Sequence, residues 1–578
     1  AAFMGGLAAG SRWFGMLADS PGRKASLFTY YGWMEILIGV YCLGFDRLLG
    51  AQKWALLLFY HTLEPSAAAS TGFKFILSSM LLIVPTILMG GTLPVLIKAL
   101  SRRLPDVGRI TGRLYFANCF GAVFGTLAVA FWMIPSLGLA LSTALAAAIN
   151  IAVGLVALAL RTRIPDPLRL TGKTGPALDE GVSAGGPQAA LKWSLIGIFI
   201  SGFTAMFYEI TWTRILSLVL GSSTYSFSLM LAAFISGIAL GSLIISRFMG
   251  KIRHPAYIFA LCQITAGLAV FAMLPLYSSL PLFFLRCREL VNFSYETHQL
   301  FKFAVCLAVM LAPTTAIGMG FPLVGRLAAG GEMDKIAGKV GGVYALNTMG
   351  NILGTVLCGF AMIPLLGLKT TLEISVLLNL AAGGGILLSL GPLRAIQTRR
   401  VFVAGALAVA IYFLIAPGWD RKVLTGGAFR YHRSPQATAE NFSKKTQRRN
   451  LLFYREDIST TVTVEQENSD LVLRVNGKAD ASSTLDMKTQ ILLTDLPMLL
   501  HENPAHVLVI GAGSGVSCGA ALAHPELDSL CCVEISPGVV QGSRFFADYN
   551  RRYWANPRTE IVLDDGRNFL FRSEKKWD

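Results

Sequence analysis

Three groups of residues near the C-terminal end of the sequence have the types and spacing to hold a nucleoside. The short apolar run His506-Val-Leu-Val-Ile510 leads directly into Gly511-Ala-Gly513-Ser514-Gly515. Glycines so placed let a backbone turn tightly and approach a ligand, and a helix beginning there offers N–H groups without partners of their own. A second apolar run, 529–533, ends in Glu534, at the distance from a glycine loop where a carboxylate accepts both ribose hydroxyls. A third, 559–563, ends in Asp564-Asp565-Gly566. Loop, ribose acid and third-strand acids in this order describe a Rossmann-like α/β nucleoside-binding domain.

The elements around them can be read from pattern. Each apolar run is short enough for a buried parallel strand, and the stretch after the glycine loop has helical spacing. Ahead of it, 486–500 reads as a helix, while 460–465 and 471–475 alternate like strands turned around Asn468-Ser469-Asp470. The expected units are a basic linker over 418–450, a small β-hairpin region with its helix over 451–502, and the Rossmann-like domain over 503–578.

Everything before residue 418 is of another kind. The chain of 578 residues is 53% hydrophobic and 15% charged, with mean hydropathy +0.56, which is too apolar for a soluble protein of this size. Apolar windows of about 20 residues recur up to residue 417, each long enough to cross a lipid bilayer. From residue 418 on, 20 Lys+Arg face 20 Asp+Glu, so the whole excess of +16 lies in the apolar part. Basic residues spread between hydrophobic spans suit orientation in a lipid bilayer and not nucleic acid, which would want them clustered on a soluble face. The nine cysteines form no Cys-x-x-Cys pair and no His/Cys cluster, so neither a disulfide framework nor a metal is expected, and Cys531-Cys532 reads as reduced thiols packed in a strand. The sequence opens on an alanine already inside an apolar segment, so no signal peptide is read, and both native ends are expected to lie outside it.

An internal repeat organises the apolar part. Ala1-Ala-Phe-Met-Gly-Gly-Leu-Ala-Ala-Gly-Ser11 and Ala232-Ala-Phe-Ile-Ser-Gly-Ile-Ala-Leu-Gly-Ser242 agree at 7 of 11 positions. Pro85, Pro94, Tyr115, Asn118, Gly121, Gly125, Thr126 and Pro135 then return as Pro313, Pro322, Tyr344, Asn347, Gly350, Gly354, Thr355 and Pro364. The first copy (1–163) has nothing to match the span 194–220 that opens the second (192–393), so it lacks its first helix. A linker, 164–191, joins them, and 394–417 holds one possible extra membrane helix. Six spans per unit is an even number, so the copies share one orientation, as in parallel-repeat transporters.

Several residues inside these spans carry chemistry. Glu209 and Arg214, in Tyr208-Glu-Ile-Thr-Trp212-Thr-Arg214, read as an ion pair near the interface or as a transport or proton site, because a carboxylate in a span is paired, protonated or facing a cavity. Pro85 to Pro94 and Pro313 to Pro322 interrupt equivalent spans, either as packing kinks or as exposed backbone for a substrate. Gly121/Gly125 and Gly350/Gly354 have the small-xxx-small spacing of close helix contacts.

Two resemblances follow. Gly15-Met-Leu-Ala-Asp19-Ser-Pro-Gly22-Arg23-Lys24 resembles the loop signature of the major facilitator superfamily. Val475-Asn-Gly-Lys-Ala-Asp480, Thr489-Gln490, Leu496-Pro497, the glycine loop, Val533-Glu534-Ile535, Asp564-Asp565-Gly566-Arg567 and Trp577-Asp578 follow the order of the spermidine synthase family, especially its members fused to transporter-like membrane halves. The resemblance implies decarboxylated S-adenosylmethionine, or S-adenosylmethionine itself, as ligand. Gly511, Gly513 and Gly515 would line it, Glu534 would hold its ribose and Asp565, beside Asp564, its adenine amine. Ser514 stands where soluble members carry an aspartate for the aminopropyl amine, and Gln490 where they have a histidine. The family's catalytic acid is expected beyond Asp578.

The resemblance implies a membrane-anchored aminopropyltransferase acting on a polyamine-type amine. The alternative is a transporter-like or membrane-complex subunit whose soluble domain is a noncatalytic sensor or scaffold. Expected partners are the lipid bilayer and a small amine or nucleoside, with no nucleic acid, and a homodimer or larger membrane complex stays open. The expected location is the plasma membrane, the inner one in a bacterium. If 401–417 crosses, the soluble domain lies opposite the basic loops. The linker's eight Lys/Arg against two Asp/Glu over 420–450 lean towards the cytoplasmic side.

Overall fold

Before residue 418, long runs of Leu, Ala, Ile and Phe with few turn residues become helices, the one form that satisfies every backbone group within its own segment. The computed structural model of the chain describes residues 2–20, 25–63, 67–103, 106–163, 187–290, 294–330, 332–390, 395–431 and 438–578. The first half holds α1 (Ala2–Asp19), α2 (Leu27–Leu43), α3 (Phe45–Leu63), α4 (Ala67–Leu100), α5 (Val107–Ala128) and α6 (Ile134–Leu160). The second holds α7 (Pro187–Leu220), α8 (Thr224–Phe248), α9 (Pro255–Met273), α10 (Leu280–Leu290), α11 (Tyr295–Gly318), α12 (Gly320–Ala329), α13 (Ile336–Leu357) and α14 (Ile363–Ser389). One more helix, α15 (Ala395–Ile415), packs on α14 and meets Phe271 of α9 through Tyr412 and Phe413. Among the described residues, seven helical segments are long and apolar enough to cross a membrane.

The two halves share local irregularities at equivalent places. A π-helical turn, Val129–Met133, joins α5 to α6, and another, Cys358–Met362, joins α13 to α14. Each is followed by a proline, Pro135 or Pro364, and then by a glycine in a backbone region closed to other residues, Gly138 at φ 72° and Gly367 at φ 83°. Other matched features diverge. Gly350 and Gly354 do pack closely, since an added Cβ would lie 2.1 Å from Phe199 O and 2.4 Å from Phe203 O of α7. Gly121 and Gly125, expected to do the same, face open space, because no described helix of the first half stands where α7 stands in the second. Likewise α4 runs unbroken through Pro85 and Pro94, whereas a break at Met319 separates α11 from α12.

One end of the bundle is organised by Asp19. Its carboxylate accepts from Lys98 Nζ at 2.5 Å, Gly338 N at 2.6 Å and Ala337 N at 3.3 Å, joining α1, α4 and the N-terminus of α13, where the helix dipole favours an anion. Lys98 also donates to Asp334 O at 2.8 Å. Arg23 and Lys24 lie outside the described residues. This end also carries Arg102, Arg103, Arg247, Lys251, Arg253, Lys335 and Lys339 in its loops or on the helix turns next to them.

The opposite end carries the C-terminal domain. There the stretch expected as a linker folds into α16 (Arg421–Thr425), α17 (Ala428–Tyr431) and α18 (Ala439–Arg448), which bury Val423, Ala428, Ala439 and Phe442 against Leu285 of α10. An antiparallel sheet of four strands follows, larger than the expected hairpin: β1 (Asn450–Glu456), β2 (Thr461–Glu467), β3 (Asp470–Val475) and β4 (Lys478–Ser482). Then come α19 (Met487–Leu500) and the strands β5 (His506–Ile510), β6 (Ser529–Glu534) and β7 (Thr559–Leu563), parallel in the order β5-β6-β7. Short helices α20 (Val516–Ala521), α21 (Pro537–Ser543) and α22 (Gly566–Arg572) follow the three strands. Val462, Val464 and Leu473 of the first sheet share one core with Cys532, Phe546 and Tyr553, so the two sheets form one body.

Arg214 does not pair with Glu209. Five residues along an α-helix turn through about 500°, which sets the two side chains about 140° apart on the cylinder. Arg214 points out of the end of α7 into the turn between β1 and β2. There Nη1 donates to Asp457 O at 3.0 Å and Ile458 O at 2.8 Å, and Nη2 to Thr461 Oγ1 at 3.3 Å. Beside it, Glu456 Oε2 accepts from Leu368 N at 2.7 Å and so caps the helical stretch that restarts after Gly367. Trp419 Nε1 donates to Leu274 O at 2.9 Å on the same side.

The two kink glycines give a matched test. Gly138 has nothing within 4 Å of an added Cβ, so Gly138→Ala should cost only the backbone strain, about 1 to 3 kcal/mol. At Gly367 the Cβ would also lie 2.9 Å from Glu456 Oε2, so Gly367→Ala should cost more and loosen the C-terminal domain. Thermal unfolding of both variants in detergent measures the order, and equal losses would contradict the seam described here.

Candidate functional site

The site is built at the C-terminal ends of β5, β6 and β7. Short apolar runs make these strands, which pair in parallel with β6 in the middle; β6 is buried along almost its whole length, while Ile510 and Leu563 stay exposed at the ends of β5 and β7. The chain leaves β5 through Gly511 at φ 93°, Gly513 at φ 51° and Gly515 at φ 78°, conformations that L side chains rarely adopt. An added Cβ at Gly511 or Gly513 meets nothing within 4 Å, so this part of the loop faces open space. At Gly515 the Cβ would lie 2.3 Å from the Tyr553 ring, so this glycine is required for packing as well.

Glu534 ends β6 with its side chain buried beside that loop. Oε2 accepts from Ala512 N at 2.8 Å and Oε1 from Ser536 N at 2.9 Å. Each oxygen holds one backbone amide and has a second lone pair, which suits a pair of vicinal hydroxyls. Ser536 caps α21 through Val539 N at 3.3 Å, with Pro537 following where a helix has no use for an N–H.

The acids after β7 divide their work. Asp564 forms an ion pair with Arg572 and accepts from Asp565 N at 2.8 Å, which ties the strand to α22. Asp565 follows at the C-terminal end of β7 and caps α22 through Asn568 N at 2.9 Å. Asp564 is thus spent on the turn and its ion pair, while Asp565 uses Oδ1 for the cap.

Ser514 and Gln490 come together, a contact the sequence reading did not foresee. Ser514 Oγ hydrogen-bonds Gln490 Oε1, while Gln490 Nε2 donates to Ser482 O at 2.9 Å. Ser517 Oγ donates to Gln490 O at 2.8 Å, so α19 is stitched to the glycine loop. Ser514 is 1% exposed and its carbonyl accepts from Asn550 Nδ2 at 2.8 Å. The loop is therefore held from behind by Asn550 and Gln490 and is open in front.

Other residues acting on the site carried no local signal. Asp457 Oδ2 accepts from Ser536 Oγ at 2.7 Å and Gly538 N at 2.7 Å, across about eighty positions of sequence. Ser536-Pro537 could have been found as a capping pair. Behind the strands, Cys518 is pushed well above the ordinary thiol range by its hydrogen bond to Cys532 and by burial. Burial and the charge of Glu560 push Cys531 up to about 11, so it stays protonated at neutral pH. Glu209 contributes nothing to this cleft, and Arg214 reaches it only through the β1–β2 turn. Among the described residues, no group of three His, Cys, Asp or Glu side chains gathers as a metal site would require.

Comparison with known proteins covers this part of the chain. Residues 487–578 match the spermine/spermidine synthase domain family. The polyamine aminopropyltransferase of Shigella flexneri is 28% identical over 131 residues, which is 22% of this chain and 46% of that protein. The Escherichia coli enzyme of the same name gives the same identity and coverage. The chain thus spans about half the length of the curated relatives it matches. Among solved structures, spermidine synthase from Thermotoga maritima is 21% identical, covering 22% of this chain and 44% of its own, with a TM-score of 0.21. A spermidine synthase bound to the transition state analogue AdoDATO is likewise 21% identical, covering 45% of its own chain, with a TM-score of 0.21. The C-terminal part of this chain is a spermine/spermidine synthase domain, joined to an N-terminal part of long apolar helices that fits a membrane-fused arrangement.

Proposed function

We propose that the chain is a membrane-anchored aminopropyltransferase whose C-terminal domain binds decarboxylated S-adenosylmethionine and passes its aminopropyl group to a polyamine-type amine. The observation that carries this reading is the convergence of the open glycine loop, Glu534 and Asp565 at the ends of three parallel strands, where open α/β sheets take their ligands. Glu534 would accept the ribose hydroxyls, Asp565 the adenine amine, and the loop would lie along the body of the nucleoside. In the reaction the acceptor nitrogen attacks the carbon next to the sulfonium. An N–C bond forms, the C–S bond breaks towards the thioether, and a base takes the proton from nitrogen. Alignment of the two reactants and that proton transfer supply the rate.

We read the helical part as two parallel six-helix units of the major facilitator kind. The paired π-helical turns and the glycine kinks at Gly138 and Gly367 support this. In such a membrane part the basic loops around Asp19 and Lys98 face the cytoplasm. The C-terminal domain, held by Arg214, Leu368 and Leu274 at the other end, then lies outside the cytoplasm, with α15 as the last crossing. The attachment of the domain at the end opposite the basic loops outweighs the basic linker, whose charges sit on helices packed at the domain's own end of the bundle. A sulfonium nucleoside made in the cytoplasm would have to cross the membrane to reach the site.

Three outcomes check these proposals. Glu534→Gln should weaken nucleoside binding by about 1.5 to 3 kcal/mol, since both hydroxyl bonds lose their charged acceptor. Calorimetric titration of the full chain in detergent with decarboxylated S-adenosylmethionine measures it, and no binding to the native protein would end the enzyme reading. Ser514→Asp should tighten the decarboxylated donor more than S-adenosylmethionine, because the new carboxylate faces Gln490, whose amide can turn towards it, and repels the extra carboxylate of the latter. Equal effects on both ligands would argue against an aminopropyl amine near position 514. Finally, alkaline phosphatase fused after Asp578 should be active in a bacterial host while a fused green fluorescent protein stays dark. The reverse pattern would put the domain in the cytoplasm.

A further inference from the structure

We infer that Arg214, at the end of a bundle helix, is a positioning residue for the nucleoside site, and that the helical part sets the affinity of that site through it. The inference rests on the nucleoside reading of Glu534. A continuous chain of short bonds among buried groups joins the two. Arg214 Nη1 holds Asp457 O at 3.0 Å and Ile458 O at 2.8 Å. The carboxylate of the same Asp457 takes Ser536 Oγ and Gly538 N, each at 2.7 Å. The backbone N–H of Ser536 then donates to Glu534 Oε1 at 2.9 Å, and the other oxygen of Glu534 receives the loop amide of Ala512 at 2.8 Å. Arg214, Asp457, Ser536 and Glu534 are each at most 9% exposed, so water does not offer a ready substitute for any link.

The chain leaves little slack. Gly538 approaches Asp457 so closely that an added Cβ would lie 2.6 Å from Oδ2. Asp457 is fixed from its other side by Arg455 Nε at 2.6 Å and through its own N–H by Thr460 O at 2.8 Å. A shift of the end of α7 therefore moves the β1–β2 turn, the start of α21 and the ribose carboxylate together. Packed elements of this kind move between discrete arrangements, so a change in the bundle is felt at the site as a change in affinity, and nucleoside binding is felt in the bundle to the same degree.

The test compares two ways of loosening the same seam in the full chain. Arg214→Gln breaks the chain at its first link. Trp419→Phe removes the bond to Leu274 O, which holds the domain to the bundle but leads to no residue of the site. With 5′-methylthioadenosine as probe, Arg214→Gln should weaken binding about tenfold and Trp419→Phe hardly at all. Amide hydrogen exchange, read without ligand, should rise at Ser536, Gly538 and Ala512 in Arg214→Gln alone. Should that variant not fold, Thr461→Val removes one of Arg214's three acceptors and should give a smaller change of the same pattern. Unchanged affinity and exchange in Arg214→Gln, or equal changes in both variants, would overturn the inference while leaving the site intact. If the native chain does not bind the probe, the nucleoside reading fails, and the exchange pattern alone still decides whether Arg214 holds Glu534.

Discussion

An arginine side chain keeps its charge under all ordinary conditions, and removing such a charge from water costs several kcal/mol unless oxygens receive it. Arg214 is 9% exposed and sits near the end of a helix whose own carbonyls are mostly committed to the helix. Its acceptors must come from another element, and the tight turn after β1 supplies two carbonyls that the sheet ladder leaves unpaired, with the Thr461 hydroxyl beside them. This requirement fixes where the antiparallel sheet sits against the bundle. Glu456, next along the strand, is thereby brought over the restart of α14, and its carboxylate serves the first amide after Gly367. The arrangement needs the kink, because only a helix that begins afresh at that point has an N–H to give.

How much of this the sequence disclosed depends on the reach of each contact. The strand ends that carry the glycine loop, Glu534 and Asp565 were legible because each is a strand and turn a few residues long, whose conformation is set by its own residues. Strands β5, β6 and β7 and helix α19 fell where pattern placed them, since each strand is a short apolar run bounded by turn residues. Strands β1 and β4 did not, because Phe453-Tyr-Arg-Glu456 and Lys478-Ala-Asp-Ala-Ser482 are half-buried and lack clean alternation. The helices within 418–450 were hidden for a related reason: their polar residues face outward, and the few apolar ones find a partner only in α10, far away in sequence.

Long-range pairings were the least legible. Spacing suggested Glu209 as the partner of Arg214, yet nothing local could reveal a turn 243 residues away. Gly121 and Gly125 carry the same spacing as Gly350 and Gly354, but a close-packing motif describes what a helix permits and not what stands beside it. The two proline segments teach the same lesson, since the chain breaks at Met319 between α11 and α12 while α4 continues through Pro85 and Pro94.

On the nucleoside reading proposed above, Glu534 shows what such long-range order achieves in a site. A buried carboxylate that is to receive hydroxyls from a ligand needs donors that do not use up the lone pairs the ligand will take. Two backbone amides meet that need at Glu534: each supplies a partial positive charge in a fixed direction, and neither occupies more than half of its oxygen's capacity. A lysine or arginine in their place would compete with the hydroxyls for the same lone pairs. The amides come from two different segments, the glycine loop and the turn into α21, so the carboxylate is oriented only when both are in place. The first is held by Asn550 and the stitched Gln490, and the second by Asp457 at the seam with the bundle. Orientation fixed before the ligand arrives lowers the entropy lost on binding, and here part of that order originates in the seam with the helical part.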